Sequence, residues 1–163
     1  MKKYLLSMVL FALFIFFQST DIYSGISING INPDFILIIL TIEAFILGPM
    51  SGQVLGFLVG LVLDIMSGKL LGISAFTYTA IGFGVGLLGS KVYGSNILIS
   101  IIFLFFATLA KALLFSMLGT IFLEAGYFGY FSQGKVFLEA VMNSLLTPPF
   151  FFIITRIKRR VVI

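Results

Sequence analysis

Residues 52–75 read GQVLGFLVGLVLDIMSGKLLGISA, an apolar segment in which small residues recur at helical spacing. Gly52, Gly56 and Gly60 are four residues apart, so they share one face of a helix and let a second backbone approach closely in lipid. Asp64 continues the same stripe one turn further on. A carboxylate at membrane depth costs about 2.5–3.5 kcal/mol on insertion scales, so it usually faces protein or water. One predicted helix therefore carries both a packing face and an acid.

The composition of the whole chain is that of an integral membrane protein. Of its 163 residues 60% are hydrophobic and 10% charged, and the mean hydropathy is +1.20. A soluble domain of this size could not bury that much apolar surface. The chain has no Cys and no His, which removes thiol chemistry and the usual transition-metal ligands. We therefore expect no cofactor, no metal site and no enzymatic activity. The net charge of +4 does not indicate nucleic-acid binding, because most basic residues lie near the two termini.

Six apolar runs predict an all-α polytopic membrane protein with six transmembrane helices. They form one domain over residues 1–163, with approximate spans at 4–20, 34–48, 51–67, 70–90, 96–123 and 136–155. Spanning takes about 20 residues, so the short second and third runs are either two tight spans or one span and a re-entrant segment. The basic residues before the first run and after the last run place both termini in the cytoplasm. That placement needs an even number of crossings, which favours six, and the segment 21–34 then falls outside.

Ionisable residues inside the predicted spans are candidate functional residues. At 1.5 Å per residue, Asp64 lies roughly 18 Å and Lys111 roughly 22 Å from the inner face, so we expect the two at similar depth. A pair between them would let both stay charged in the bilayer. Such a pair is either static, fixing the helix register, which we favour, or part of a proton relay or a substrate counter-ion. Glu43, roughly 8 Å from the inner face, is expected to face a cytoplasmic vestibule or a partner.

Two prolines in the last apolar run predict a helix kink. Pro148 and Pro149 each remove a backbone donor and disturb the helix about four residues upstream. Asn143 lies near that turn and could bond a freed carbonyl. The two interpretations are a packing kink and a broken helix that binds a ligand, as in transporters.

Three segments carry a resemblance to a known family. They are Asn32-Pro33-Asp34 before an apolar span, the block G-x-x-x-G-x-x-x-D-x-x-x-G-x-x-x-G over residues 56–72, and Asn143-Ser-Leu-Leu-Thr-Pro148 leading to Arg156 and Arg159. Together with the length, the terminal charges and the number of spans, these segments resemble the family of rod shape-determining protein MreD. The resemblance covers the whole chain.

This resemblance implies a component of the bacterial cell-elongation machinery in the inner (cytoplasmic) membrane. Proteins of the family work with a single-pass partner, MreC, and indirectly with the actin-like MreB filament and with RodA and its penicillin-binding partner. The implied function is a non-enzymatic scaffold that helps to maintain rod shape and to organise lateral peptidoglycan synthesis. It would act in the lipid bilayer through helix–helix contacts, with the glycine face packing inside the bundle or against a partner. Self-association into a homodimer is left open.

The resemblance also implies a fold like that of the substrate-binding subunit of energy-coupling-factor transporters. An alternative function follows from this likeness, namely a subunit that binds a small, vitamin-like solute. In that case Asp64, Lys111 and Asn143 would line a cavity.

A cysteine at position 162 tests the number of crossings. With both termini in the cytoplasm, Val162→Cys should stay unlabelled when an impermeant thiol reagent is added to intact cells, and should react after lysis. The chain has no native Cys, so the label reports this position alone. Ser27→Cys, in the segment predicted to lie outside, is the positive control. Labelling of residue 162 in intact cells would contradict the six-span topology.

Overall fold

The chain folds into a bundle of α-helices, seen in a computed structural model that describes residues 2–20, 23, 25–68, 70–89, 97–123 and 134–161. Within these ranges there are six helices: α1 (Lys2–Gln18), α2 (Phe35–Leu47), α3 (Pro49–Ser67), α4 (Ile73–Gly89), α5 (Ile97–Leu123) and α6 (Lys135–Val161). The prediction of an all-helical chain is confirmed. Residues 90 and 96 of the predicted spans, and position 162, lie outside the described residues.

Three stretches of helix are long and apolar enough to cross a membrane. Among the described residues these are Pro49–Ser67, Ile97–Phe122 and Lys135–Ile157. The apolar parts of the other helices are shorter, at Leu5–Gln18, Phe35–Leu47 and Ile73–Gly89. The 13 residues of α2 extend only about 20 Å at 1.5 Å per residue, whereas the hydrocarbon core is about 30 Å thick. The three long apolar stretches indicate that the chain is a helical membrane protein. The short length of α2 needs a separate explanation.

That explanation is that α2 lies at the centre of the bundle. Every residue from Phe35 to Phe45 is buried, and α2 contacts each of the other five helices. Its sequence, FILIILTIEAFIL, is apolar on all sides, as expected of a helix that is surrounded by protein. Because its neighbours cover it, this stretch of α2 needs no contact with lipid.

A tight turn leads into α2. Ile28 and Ile31 form an isolated antiparallel bridge, with N–H to oxygen distances of 2.9 and 3.0 Å. Between them Asn29 and Gly30 have φ of 53° and 74°. Two successive residues with positive φ are typical of a type I′ turn, for which Asn-Gly is a favoured pair. Just beyond this turn Asp34 caps α2, accepting a hydrogen bond from the Leu37 N–H at 2.9 Å.

The glycine stripe of α3 faces α4 inside the bundle. A Cβ atom added at any of the three glycines would overlap backbone atoms of α4: Gly82 for Gly52, Tyr78 for Gly56 and Ala75 for Gly60. The residue numbers on α4 fall as those on α3 rise, so the two helices are antiparallel. Small residues permit this backbone contact, which supplies packing energy where lipid provides no hydrophobic drive between helices. We call this contact the glycine seam.

Alanine at Gly56 or at Gly82 should destabilise the protein, because the new Cβ would overlap backbone of the facing helix. Overpacking typically costs about 1–3 kcal/mol, so the Tm in detergent should fall. The matched control is Gly84→Ala, also in α4, where a Cβ meets nothing within 4 Å. This variant should keep or raise the Tm, since Ala favours a helix over Gly by about 1 kcal/mol. Equal losses at Gly82 and Gly84 would rule out a packing role for the seam.

Candidate functional site

Lys111 of α5 lies between two carboxylates. Its Nζ donates to Asp34 Oδ2 at 2.8 Å and also to Glu139 Oε1. The side chains of Lys111, Asp34 and Glu139 are 14%, 11% and 5% exposed. One positive and two negative groups, from α5, the start of α2 and α6, therefore share a site in which all three side chains are mostly buried.

Tyr78 and Asn143 extend this group of charged residues, and we call the five side chains of Asp34, Tyr78, Lys111, Glu139 and Asn143 the ionic cluster. The Tyr78 hydroxyl of α4 donates to Asp34 Oδ2 at 2.7 Å. Asn143 Oδ1 accepts from the backbone N–H of Asp34 at 2.8 Å, and its Nδ2 donates to Thr108 Oγ1 at 3.1 Å. Asp34 is thus bonded from α4, α5 and α6 while it caps α2.

Helical spacing explains why these groups meet. Thr108 and Lys111 are three residues apart on α5, and Glu139 and Asn143 are four apart on α6, so each pair shares a face of its helix. The two helices are antiparallel, because Lys111 meets Glu139 and Thr108 meets Asn143. Two polar contacts therefore set the register between these two long apolar helices.

The ionic cluster lies toward the end of the bundle where α2, α4 and α6 begin. Asp34 precedes the first residue of α2, and Tyr78 lies roughly 8 Å along α4 from its start at 1.5 Å per residue. Lys111 is deeper, in the middle of α5. Its four-carbon stem lets the ammonium group reach a carboxylate nearer the helix ends.

A cavity of about 330 Å³ lies beside the ionic cluster. Its volume is at the low end of the range of ligand pockets, which is about 300–1,000 Å³. The cavity is lined by the three charged residues, by Tyr78, Leu63 and Phe115, and by residues near helix ends or in connections: Gln18, Tyr23, Asn32, Ser67 and Ser74. Burial, and after it the nearby Asp34 carboxylate, raises the pKa of Tyr23 to about 12. The Tyr23 hydroxyl, which donates to the Pro33 carbonyl at 2.9 Å, is therefore protonated at neutral pH.

The predicted pair of Asp64 and Lys111 is wrong. The Asp64 side chain is buried and accepts hydrogen bonds from the backbone N–H groups of Gly72, Ser74 and Ala75 at 2.8, 3.0 and 3.1 Å. N–H groups at a helix start have no partner within the helix, so Asp64 satisfies the beginning of α4. Lys111 instead meets an acid that the topology argument placed outside the membrane.

Glu43 also differs from its expectation. It is fully buried within α2, and the Ser7 hydroxyl of α1 donates to its Oε2 at 3.0 Å. It therefore does not face a cytoplasmic vestibule. Its contact with α1 lies toward the opposite end of α2 from the ionic cluster.

The last helix is continuous where a break was considered. α6 runs from Lys135 to Val161 with Pro148 and Pro149 inside it, so the interpretation as a broken helix does not hold, and the kink stays a prediction. Asn143 bonds to Asp34 and Thr108 rather than to a carbonyl that the prolines leave free. Its role is to join helices.

Sequence reasoning missed Asp34 and Glu139 as partners of Lys111, and Tyr78 as a partner of Asp34. One usable signal was that Tyr78 is the one tyrosine in the interior of a predicted span, since a buried Tyr hydroxyl usually finds a partner. A second was the spacing of four residues between Glu139 and Asn143, which puts an acid and an amide on one helix face. Both signals point to a polar cluster, although neither identifies its members on other helices.

Comparison with known proteins gives a match over most of the chain. A family model described as rod shape-determining protein MreD matches residues 1–157. No curated protein and no solved structure matches the chain.

A double-mutant cycle tests the ionic cluster. Lys111→Met should lower stability strongly, because removing one partner of a buried ion pair typically costs about 3–5 kcal/mol and here leaves two carboxylates without their cation. Adding Glu139→Gln should recover part of the loss, as measured by the free energy of unfolding in detergent. The control combines Lys111→Met with Asp64→Asn, which should be additive because these two residues do not share partners. Additive effects of Lys111 and Glu139 would mean that their contact contributes nothing.

Proposed function

Since the chain belongs to the family of rod shape-determining protein MreD, we propose that it is a non-enzymatic scaffold of the bacterial cell-elongation machinery. It would help to maintain rod shape and to organise lateral peptidoglycan synthesis through contacts with partner membrane proteins. The family match supports the involvement in rod-shape maintenance. The observation that supports a scaffold is the ionic cluster, in which buried groups from four helices are bonded to one another.

A static role for the ionic cluster is favoured over a relay by the arrangement of titratable groups. A proton path through the membrane needs a chain of such groups. On α2 the next acid after Asp34 is Glu43, roughly 14 Å further along the helix. The residues between them are apolar except for Thr41. A further buried acid, Asp64, accepts hydrogen bonds from backbone N–H groups, so the polar groups bind helices together.

We place all six helices across the inner membrane, with both termini in the cytoplasm. Ser7, near the start of α1, meets Glu43 near the end of α2, and Asn143, near the start of α6, meets Asp34 at the start of α2. The start of α1 and the end of α6 therefore lie at one end of the bundle. This arrangement supports an even number of crossings, and it puts the ionic cluster toward the outer face. We also propose that the fold is like that of the substrate-binding subunit of energy-coupling-factor transporters, and the six helices agree with this likeness.

The partner surface is proposed to lie between α1 and α3. The glycine seam is already occupied by α4, so a partner must use a face that looks toward lipid. An apolar groove of about 520 Å³ runs between α1 and α3, with Met8, Phe11 and Ala12 on one side and Leu58 and Met66 on the other. We propose that the membrane helix of a single-pass, MreC-like partner packs here, and that the MreB-like filament and the RodA and penicillin-binding enzymes are reached through that partner.

The alternative function is a subunit that binds a small solute for a transporter. The cavity of about 330 Å³ beside the ionic cluster favours it. Of the residues expected to line such a site, Lys111 does so and Asp64 and Asn143 do not. Purified protein that retains a soluble small molecule, detected by mass spectrometry, would favour this alternative over the scaffold alone.

Bulk in the α1–α3 groove should weaken partner binding. Ala12→Trp fills the groove, so it should reduce the amount of MreC-like partner that co-purifies in mild detergent and should impair rod shape in cells that depend on this chain. The matched control is Ala110→Trp, an exposed alanine in a groove between α4 and α5, which should do neither. Normal co-purification and normal shape with Ala12→Trp would exclude this groove as the partner surface. Round cells in which the partner is still bound would count against the scaffold mechanism itself.

A further inference from the structure

We infer that the cavity beside the ionic cluster binds one primary ammonium group, carried by a small amine or by a lipid headgroup. This inference goes beyond the scaffold role, since ligand binding and partner binding use different surfaces. It also names the class of ligand that the cavity would take. Three properties of the cavity wall lead to it: the charge, the hydrogen-bonding groups and the position.

The charge of the wall is negative. Lys111 contributes one positive charge, whereas Asp34 and Glu139 contribute two negative charges at the same place. Among the described residues that line the cavity, Lys111 is the one cation. A ligand with a single positive charge would make the cavity neutral, and charge interactions are stronger in a site of low dielectric constant than in water.

Several hydrogen-bonding groups of the wall are acceptors, and the side-chain amides of Gln18 and Asn32 add N–H donors. Asn32 Oδ1 is buried and has no hydrogen-bond partner among the described residues. The hydroxyl protons of Tyr78, Tyr23 and Ser67 are already donated to Asp34, to a carbonyl of Pro33 and to a carbonyl of Asp64. Those hydroxyl oxygens can still accept. A primary ammonium group has three N–H donors and no acceptor, so it matches these acceptors.

The position of the cavity allows access from the membrane surface. Gln18 ends α1, Ser67 ends α3 and Ser74 lies in the first turn of α4, so part of the wall is formed where helices end. The rings of Tyr23 and Phe115 also line the cavity, and aromatic faces attract cations. Both a dissolved amine and the ammonium group of phosphatidylethanolamine could enter at this level.

Thermal unfolding of the purified protein in detergent tests the inference. Ethylammonium chloride should raise the Tm by roughly 2–4 °C when its concentration is about four times the Kd. Equal concentrations of sodium chloride and of tetramethylammonium chloride should not raise the Tm. Sodium chloride controls for ionic strength, and tetramethylammonium has the positive charge without N–H donors. In parallel, native mass spectrometry asks whether phosphatidylethanolamine stays bound to protein extracted from membranes.

Two variants locate the binding site. Asn32→Leu changes a residue in a connection and removes the acceptor, so it should fold and lose the ethylammonium effect or the bound lipid. Glu139→Gln should do the same by removing the extra charge. Glu43→Gln, a buried acid away from the cavity, should keep the effect.

Each outcome decides the inference. An ethylammonium effect that Asn32→Leu abolishes supports it with a soluble amine as the source, and bound phosphatidylethanolamine that Asn32→Leu loses supports it with a lipid as the source. Absence of both overturns it, as does equal stabilisation by tetramethylammonium, or occupancy by a basic side chain of a protein partner alone. None of these results alters co-purification or rod shape, so failure here is distinguishable from failure of the scaffold.

Discussion

The burial of α2 is the constraint on which the other features depend. A helix enclosed by protein within a membrane cannot leave the backbone groups at its ends to water. At its start, the Asp34 carboxylate accepts from the Leu37 N–H and Asn143 accepts from the Asp34 N–H. At its end, the Gly48 N–H donates to the Ala44 carbonyl at 2.9 Å, and Pro49 begins α3 at a position where no N–H is needed. Groups at both ends of α2 thus find partners within the protein, and a helix of only 13 residues can serve as the core.

Two different interactions then enclose this core. On one side α3 and α4 meet backbone to backbone along the glycine seam, and Asp64 of α3 accepts hydrogen bonds from N–H groups at the start of α4. On the other side α5 and α6 are apolar and long, and they are joined by Lys111 with Glu139 and by Thr108 with Asn143. Asp34 connects the two sides, because it bonds to Tyr78 of α4 as well as to Lys111 of α5. The cap of the central helix is therefore also the junction of the bundle.

The helices were predictable from sequence, and the polar contacts were not. Apolar runs mark where helices form, and four-residue glycine spacing marks a close-packing face, so both follow from local patterns. Counting residues gives the depth of Lys111 but not the direction in which it points, and depth alone cannot choose between Asp64 and Asp34. Asp64 instead bonds to N–H groups at the start of α4, which lie next to it only because α4 packs antiparallel to α3. Asp34 is buried beside Lys111, which no pattern within residues 21–34 reveals.

The composition of the ionic cluster exceeds what helix register requires. In lipid, uniformly apolar helices can shift along one another at little cost in free energy. A polar contact that specifies their register is therefore a reason to retain buried charges, even where apolar residues could replace them without loss of stability. For α5 and α6 the contacts of Lys111 with Glu139 and of Thr108 with Asn143 specify the register, and Glu139 alone balances the charge of Lys111. Asp34 is required separately as the cap of α2, and its arrival beside Lys111 leaves one negative charge in excess. Capping and register together therefore produce an acidic cavity wall, and the chemistry of that cavity follows from how the bundle is held together.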